Sequence, residues 1–222
     1  MNPVPVAIIK QAAQLACKDI YDPVDDGVFD KVYRVGETTC GTKRVGNLVY
    51  VVNQGTENRA GWIADFDLYP YDHPILGDLH TGFYKNLPEL AKQLLADLPV
   101  GAQVVVTGHS KGAGEASIFG PLLKLSGVNV SAMVLFACPH AGCQMLADWI
   151  AKNIPAAVSY RNAPTGDEFF GDPVPMVPSL PYVAPVPLTY VDQPPGGLLD
   201  AVDVEWHLGK LYLAAAPAMI GD

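Results

Sequence analysis

The order of residue patterns predicts an α/β fold with a mostly parallel central sheet flanked by helices. From residue 84 onward, helix-like and apolar strand-like stretches alternate (84–97, 103–107, 111–125, 130–137, 142–153 and 157–162), the arrangement that crossover helices between parallel strands produce. Within that run, "VVVTGHSKGAGEASIFG" (104–120) passes from four β-prone residues through a Gly-x-Ser-x-Gly pentapeptide into small residues suited to a helix.

The remaining elements follow from local composition. Residues 5–18 read as a first helix, small and apolar except at Lys10, Gln11 and Gln14. "VFDKVYRV" (28–35) and "NLVYVVN" (47–53) are rich in β-branched and aromatic residues and read as strands. "YKNLPELAKQLLAD" (84–97) sets Leu87, Leu90, Leu94 and Leu95 on one side of a helix. The proline-dense segment 163–197 reads as extended or looped, and an irregular stretch of that length inside a compact domain points to function. "VEWHLGKLYLAAA" (204–216) reads as a closing helix despite Gly209.

With 222 residues, half of them hydrophobic, and a mean hydropathy of +0.18, the chain is expected to bury a substantial core as one domain over 1–222. The 14 Lys and Arg against 23 Asp and Glu give a net charge of -9 and no basic run, which argues against nucleic acid as a partner. The N-terminal stretch has prolines before its apolar run and Lys10 within it, a poor signal peptide, and no window holds 18 uninterrupted apolar residues. The expectation is no transmembrane segment and a cytoplasmic location by default, with export by another route open. Cys17, Cys40, Cys138 and Cys143 form no C-x-x-C pair and no disulfide framework; Cys138, after the apolar "MVLFA", is expected to be a buried thiol.

The pentapeptide raises a chemical possibility. A serine at the tip of a strand-to-helix turn needs unusual backbone angles, and glycines two residues to either side, here Gly108 and Gly112, relieve the crowding. The following N–H and the helix N-terminus then point at the oxygen that becomes negative when the hydroxyl attacks a carbonyl. Such a pentapeptide arises by chance in roughly one chain of this length in fifteen, so its strand-turn-helix context carries the weight. Ser110 is therefore the candidate nucleophile of an α/β-hydrolase arrangement.

A serine hydroxyl needs a base, and the base an orienting carboxylate, which in that arrangement follow in the order Ser, acid, His. Two histidines lie downstream of Ser110. His140, in "CPHAG", precedes the acids of the proline-rich loop and has the wrong order, whereas His207 has the right one. Asp167, Glu168 and Asp172 are the acids available; Asp172 is preferred because the prolines of "DPVP" stiffen its backbone.

Five segments in order resemble the fungal-type triacylglycerol lipases, the class 3 lipase family of α/β-hydrolases. "VVNQGTENRAGWIADFD" (51–67) is similar to the family's oxyanion segment and "LHTGFYKNL" (79–87) to its His-x-Gly-Phe motif. "VVVTGHSKGAGEA" resembles its elbow, "FACPHAGC" (136–143) its Pro-x-x-Gly turn, and "DPVPMVP" (172–178) its acid-bearing segment. The likeness runs from about residue 28 to 212. It implies Ser110 as nucleophile, Asp172 as acid and His207 as base, with the N–H groups of Thr56 and Lys111 as oxyanion hole and no cofactor or metal. Thr56 fits independently, because a second donor must come from the C-terminal end of a neighbouring strand. His80, upstream of Ser110, is expected to be structural.

The family usually carries an apolar residue after the serine and then a Gly-Gly pair, where this chain has Lys111 and "GAG". The Lys111 side chain is expected either to face water or to tune preference for anionic esters. Residues 57–79 stand where the family carries its lid; their short, partly polar "YPYDHPILGD" suggests soluble or short-chain esters. A metal role for Asp67, Asp72, His73 and Asp78 is the lesser reading of that stretch. The expected activity is hydrolysis of a small-molecule or lipid ester through an acyl-enzyme. The alternatives are acyl transfer by the same residues, a peptidase, or a hydrolase fold kept as a non-catalytic binding module.

Overall fold

Val49, Val51, Val104, Val106, Met133 and Leu135 alternate along their strands with Tyr50, Val52, Val105, Val134 and Phe136, and both sets are buried. Strands hidden on both faces require a layer of helices on each side. The computed structural model of the protein, which describes residues 3–21, 27–56, 69–164, 171–192 and 209–215, has that arrangement.

Along the chain run α1 (Val6–Cys17), β1 (Lys31–Val35), β2 (Thr38–Val45), β3 (Leu48–Asn53), β4 (Pro70–His73), β5 (Gly77–His80), α2 (Thr81–Tyr84) and α3 (Leu87–Asp97). There follow β6 (Gln103–His109), α4 (Lys111–Leu125), β7 (Asn129–Phe136), α5 (Gln144–Asn153), β8 (Ala157–Asn162), β9 (Leu188–Val191) and α6 (Gly209–Ala215). Seven strands form one sheet in the order β1-β2-β3-β6-β7-β8-β9, and β4 and β5 pair separately. The sheet is antiparallel from β1 to β3 and parallel from β3 to β9. Ile9, Ala12, Leu15 and Ala16 of α1 and Tyr212 of α6 pack on one face, against Tyr50, Val52, Val105 and Val134. Leucines of α3 with Phe83, Phe119, Leu146 and Ile150 cover the other.

Helix 111–125 and strand 157–162 form where the sequence predicts them, and 130–137 forms one residue earlier, as Asn129–Phe136. Three expectations need correction. The strand 28–35 starts only at Lys31, and β2, "TTCGTKRV", was not foreseen: its threonines and cations hide a strand whose Thr38, Cys40 and Thr42 are nevertheless buried. The helix 84–97 is two pieces, broken at Lys85 and Asn86, with Pro88 in the first turn of α3, where a missing N–H costs little. The segment 163–197 is not loop throughout: Val174–Met176 forms a short 3-10 turn, and β9 pairs with β8 at the sheet edge, the place in a sheet that tolerates nearby prolines. The closing helix runs over Gly209–Ala215, and 204–208 lie outside the described residues.

Candidate active site

β6 delivers the chain to α4 through Ser110, whose backbone stands at φ 59° and ψ -130°, a region an L-residue occupies only when its surroundings enforce it. The surroundings do so. The Ser110 N–H donates to the Phe136 carbonyl at 3.0 Å, and the Ser110 carbonyl accepts from the N–H groups of Ala113 and Gly114 at 2.8 and 3.1 Å. A Cβ on Gly108 would collide with the backbone of Gly112, and one on Gly112 with the carbonyl of Asn53. Both glycines are thus required by close approach. Ser110 is 4% exposed and stands at the head of the 15-residue α4, where first-turn N–H groups lack intrahelical acceptors.

Thr56 leaves β3 beside this turn. β3 and β6 run parallel with Asn53 opposite Gly108. Beyond it, the Gln54 N–H donates to the Thr39 carbonyl and its side-chain amide to the Ile20 carbonyl, both at 2.9 Å. Gly55 is wedged so closely between the Tyr21 hydroxyl and the His109 carbonyl that no side chain fits there. The Tyr21 hydroxyl shares a hydrogen bond with His109 Nδ1 at 3.1 Å, tying the N-terminal segment to the residue before Ser110.

Asp172 is fully buried past the end of β8. Its N–H donates to the Asn162 carbonyl at 2.7 Å, and its own carbonyl accepts from Arg161 Nε at 2.9 Å. Gly171, at φ 101°, carries the chain back against Ala163, where a Cβ would clash. Oδ1 of Asp172 accepts from the Val174 N–H at 2.9 Å, and Oδ2 accepts a short hydrogen bond from the Tyr212 hydroxyl. That hydroxyl in turn accepts from the Asn162 N–H at 2.9 Å. Burial, and then the adjacent Asp172, push the Tyr212 phenol well above its ordinary range. The Tyr212 ring also meets His109 edge-on at 5.6 Å, so it stands between the buried acid and the serine turn.

Ser110, Thr56 and Asp172 therefore share the C-terminal edge of the parallel strands, the side of an open α/β sheet on which ligands bind. His207, Asp167 and Glu168 lie outside the described residues, as do 57–68 of the expected lid region. Farther along that region, residues 70–80 form the β4–β5 hairpin, with Asp72 opposite Asp78, and His73 Nδ1 accepts from the N–H groups of Ile75 and Leu76. Among the described residues no group of three or more His, Cys, Asp or Glu could hold a metal ion. His80 is buried between the rings of Phe83 and Tyr182. His140 donates from Nδ1 to the Pro178 carbonyl at 2.7 Å, and burial lowers its pKa. Cys138 is buried.

The expectation that the Lys111 side chain faces water needs correction. The Lys111 side chain is only 11% exposed, and its ammonium makes a short ion pair with the buried Glu115 one helical turn on and donates to the Glu37 carbonyl at 3.3 Å.

Three further residues at this edge were missed. Tyr21 and Tyr212 reach it from opposite ends of the chain, which no local pattern reveals. Glu115 left a trace: a lone carboxylate within the small-residue stretch "GAGEASIFG", four residues after a lysine.

Among curated proteins, the Saccharomyces cerevisiae protein "Putative lipase LIH1" is 25% identical over 197 residues, covering 72% of this chain. The chain spans 59% of that relative's length. Among solved structures, the Rhizomucor miehei lipase propeptide complex superposes with a TM-score of 0.71 at 18% identity, over 93% of this chain and 77% of that one. A triacylglycerol lipase whose catalytic centre is formed by a serine protease triad superposes with a TM-score of 0.55 at 19% identity, over 71% of this chain and 68% of its own. These likenesses show the α/β-hydrolase fold. Among the described residues no helix is long and apolar enough to cross a membrane. The family model for lipase (class 3) matches residues 50–181, a span that runs from β3 through the serine elbow into the acid-bearing segment and takes in more than half of the sequence, so the chain belongs to the class 3 lipase family.

Proposed function

We propose that the protein is a serine carboxylic-ester hydrolase of the lipase and esterase type, with Ser110 as nucleophile, His207 as base and Asp172 as the acid that orients it. The observation that carries this reading is Ser110 itself. It is a buried serine held at φ 59° at the head of a helix, a conformation that costs on the order of 1–3 kcal/mol and that cooperative hydrogen bonds and two obligatory glycines maintain.

In the proposed reaction the Ser110 oxygen attacks the acyl carbon while its proton passes to the His207 imidazole. The oxygen of the tetrahedral intermediate is met by the N–H groups of Lys111 and Thr56. The alcohol leaves with the proton returned by His207, and water, deprotonated by the same imidazole, releases the acid from the acyl-enzyme. Asp172 suits the orienting role: its carboxylate is buried and fixed by the Val174 N–H and the Tyr212 hydroxyl. His207 precedes α6 by two residues, and α6 carries the tyrosine that touches Asp172, which favours that histidine as the acid's partner. The triad in the structurally similar triacylglycerol lipase supports the same assignment.

The test is a series of nitrophenyl esters from acetate to palmitate, with and without detergent, together with labelling by an organophosphonate. Hydrolysis and labelling are expected in the wild type and in neither Ser110→Ala nor His207→Ala. Absence of labelling in the wild type would favour a binding module instead, and product esters formed in the presence of added alcohol would favour acyl transfer.

A further inference from the structure

The helix behind the serine elbow is built of small and apolar residues, and 11 of its 15 side chains or backbones are buried. Two charges stand in its first two turns. Lys111 and Glu115, spaced i,i+4, share one face and pair there, with Glu115 fully buried and Lys111 nearly so. Desolvating both partners of such a pair offsets most of their attraction, and a well-packed apolar pair stabilises a fold as well or better. Stability therefore gives no reason for charges at these two positions.

Their contacts give one. Oε1 of Glu115 accepts from Lys111 and also, at 2.9 Å, from the Thr38 hydroxyl at the start of β2. Thr38 accepts from the Asn86 side-chain amide at 3.3 Å, and Lys111 reaches the Glu37 carbonyl in the β1–β2 turn. β2 in turn holds the end of β3: Cys40 pairs with Asn53, and the Gln54 N–H donates to the Thr39 carbonyl at 2.9 Å. Through Thr38 and β2, one carboxyl group thus links two chain segments: the first turn of α4, which begins with the Lys111 N–H, and the end of β3, three residues before Thr56.

We propose that Glu115 is a positioning residue for the oxyanion site, holding the Lys111 and Asn53 segments in fixed relation so that the two donor N–H groups converge on one oxygen. The inference rests on the proposed roles of Ser110, Lys111 and Thr56. Its physical ground is that such donors act through preorganisation, and displacement by a fraction of an ångström weakens them in the transition state more than in the bound substrate.

The test compares wild type, Ser110→Ala, Glu115→Gln and the apolar pair Lys111→Met/Glu115→Leu. For each, kcat and KM are measured on the nitrophenyl ester the wild type hydrolyses fastest, along with the rate constant for phosphonate labelling and the melting temperature. Both Glu115 variants are expected to lose about tenfold in kcat and in labelling rate, with KM within about twofold. The apolar pair is expected to melt no lower than wild type. An apolar pair that folds and keeps wild-type kcat and labelling overturns the proposal. So does failure of both Glu115 variants to fold at any temperature, which would make the pair a folding determinant. Labelling that persists in Ser110→Ala removes the nucleophile reading and this proposal with it, and is seen in that arm alone, before any Glu115 variant is considered.

Discussion

Asp172 and Glu115 are both carboxylates with no exposed surface, each reached by a side-chain hydroxyl from a distant element, yet they are held in opposite ways. Among the described contacts, the Asp172 oxygens accept from two neutral donors, a backbone N–H and a phenol. Glu115 is held by an ammonium on its own helix as well as by a hydroxyl. A carboxylate fixed by neutral dipoles keeps its field directed at whatever else approaches, which is what an imidazole gaining a proton needs. A carboxylate beside a cation spends that field locally and serves to hold chain segments together.

The largest expected effect tests the outward-acting acid. Asp172→Asn retains the shape but removes the charge, and on the proposed mechanism kcat should fall by about 10⁴-fold with KM little changed. A loss of less than tenfold in ester-hydrolysis kinetics would move the acid's role to Asp167 or Glu168. Next comes the inward-acting acid. Lys111→Met strands Glu115 in the core and should cost about 3–5 kcal/mol in denaturant unfolding near neutral pH. Burial already raises the Glu115 pKa, opposed chiefly by Lys111, so removing the lysine raises it further. Because the folded pKa then lies well above the unfolded one, the stability is retained below the unfolded pKa and lost as pH rises through the folded value. Unfolding curves should show Lys111→Met weakening from pH 5 to pH 8, and Lys111→Met/Glu115→Leu showing no such slope.

The same contrast explains what could be read from the chain. Ser110 was legible because its requirements are local: a β-prone run, two glycines and a helix within 17 residues. Asp172 was legible through the prolines that stiffen its turn, but its partner Tyr212 is forty residues away on α6 and contributes only once the sheet is assembled. Lys111 reads from local sequence as facing water or an anionic ester, whereas the helical period pairs its side chain with Glu115. β2 escaped because Thr, Lys and Arg dominate its sequence, although the residues facing inward are small enough to be buried. β9 escaped because prolines flank it, a composition that an edge strand tolerates and a central one does not. What pattern reading lacks in each case is a partner far along the chain.

Two hydroxyl deletions sharpen the comparison at smaller scale. Tyr212→Phe removes the hydroxyl that accepts from the Asn162 N–H and donates to Asp172 Oδ2, and should cost about 2–3 kcal/mol by thermal or denaturant unfolding. It should also slow ester hydrolysis, because the acid then has one donor fewer to fix its direction. If stability falls while kcat holds, Tyr212 supports the fold and not the acid's direction.

Thr38→Val should have the smallest effect, because Glu115 Oε1 keeps the Lys111 ammonium when the hydroxyl is gone. A hydrogen bond to a charged group contributes about 1.5–3 kcal/mol, and with a cation still on the same oxygen the expected loss is toward the lower end, about 1.5 kcal/mol. The Thr38 hydroxyl is among the groups that lower the Glu115 pKa, so its removal raises that pKa. By the same sign as for Lys111→Met, the loss should be larger at pH 8 than at pH 5, with a shallower slope. A Thr38→Val variant whose stability deficit does not change with pH would mean that the hydroxyl is packing β2 against α4 and leaves the ionisation of Glu115 to Lys111 alone.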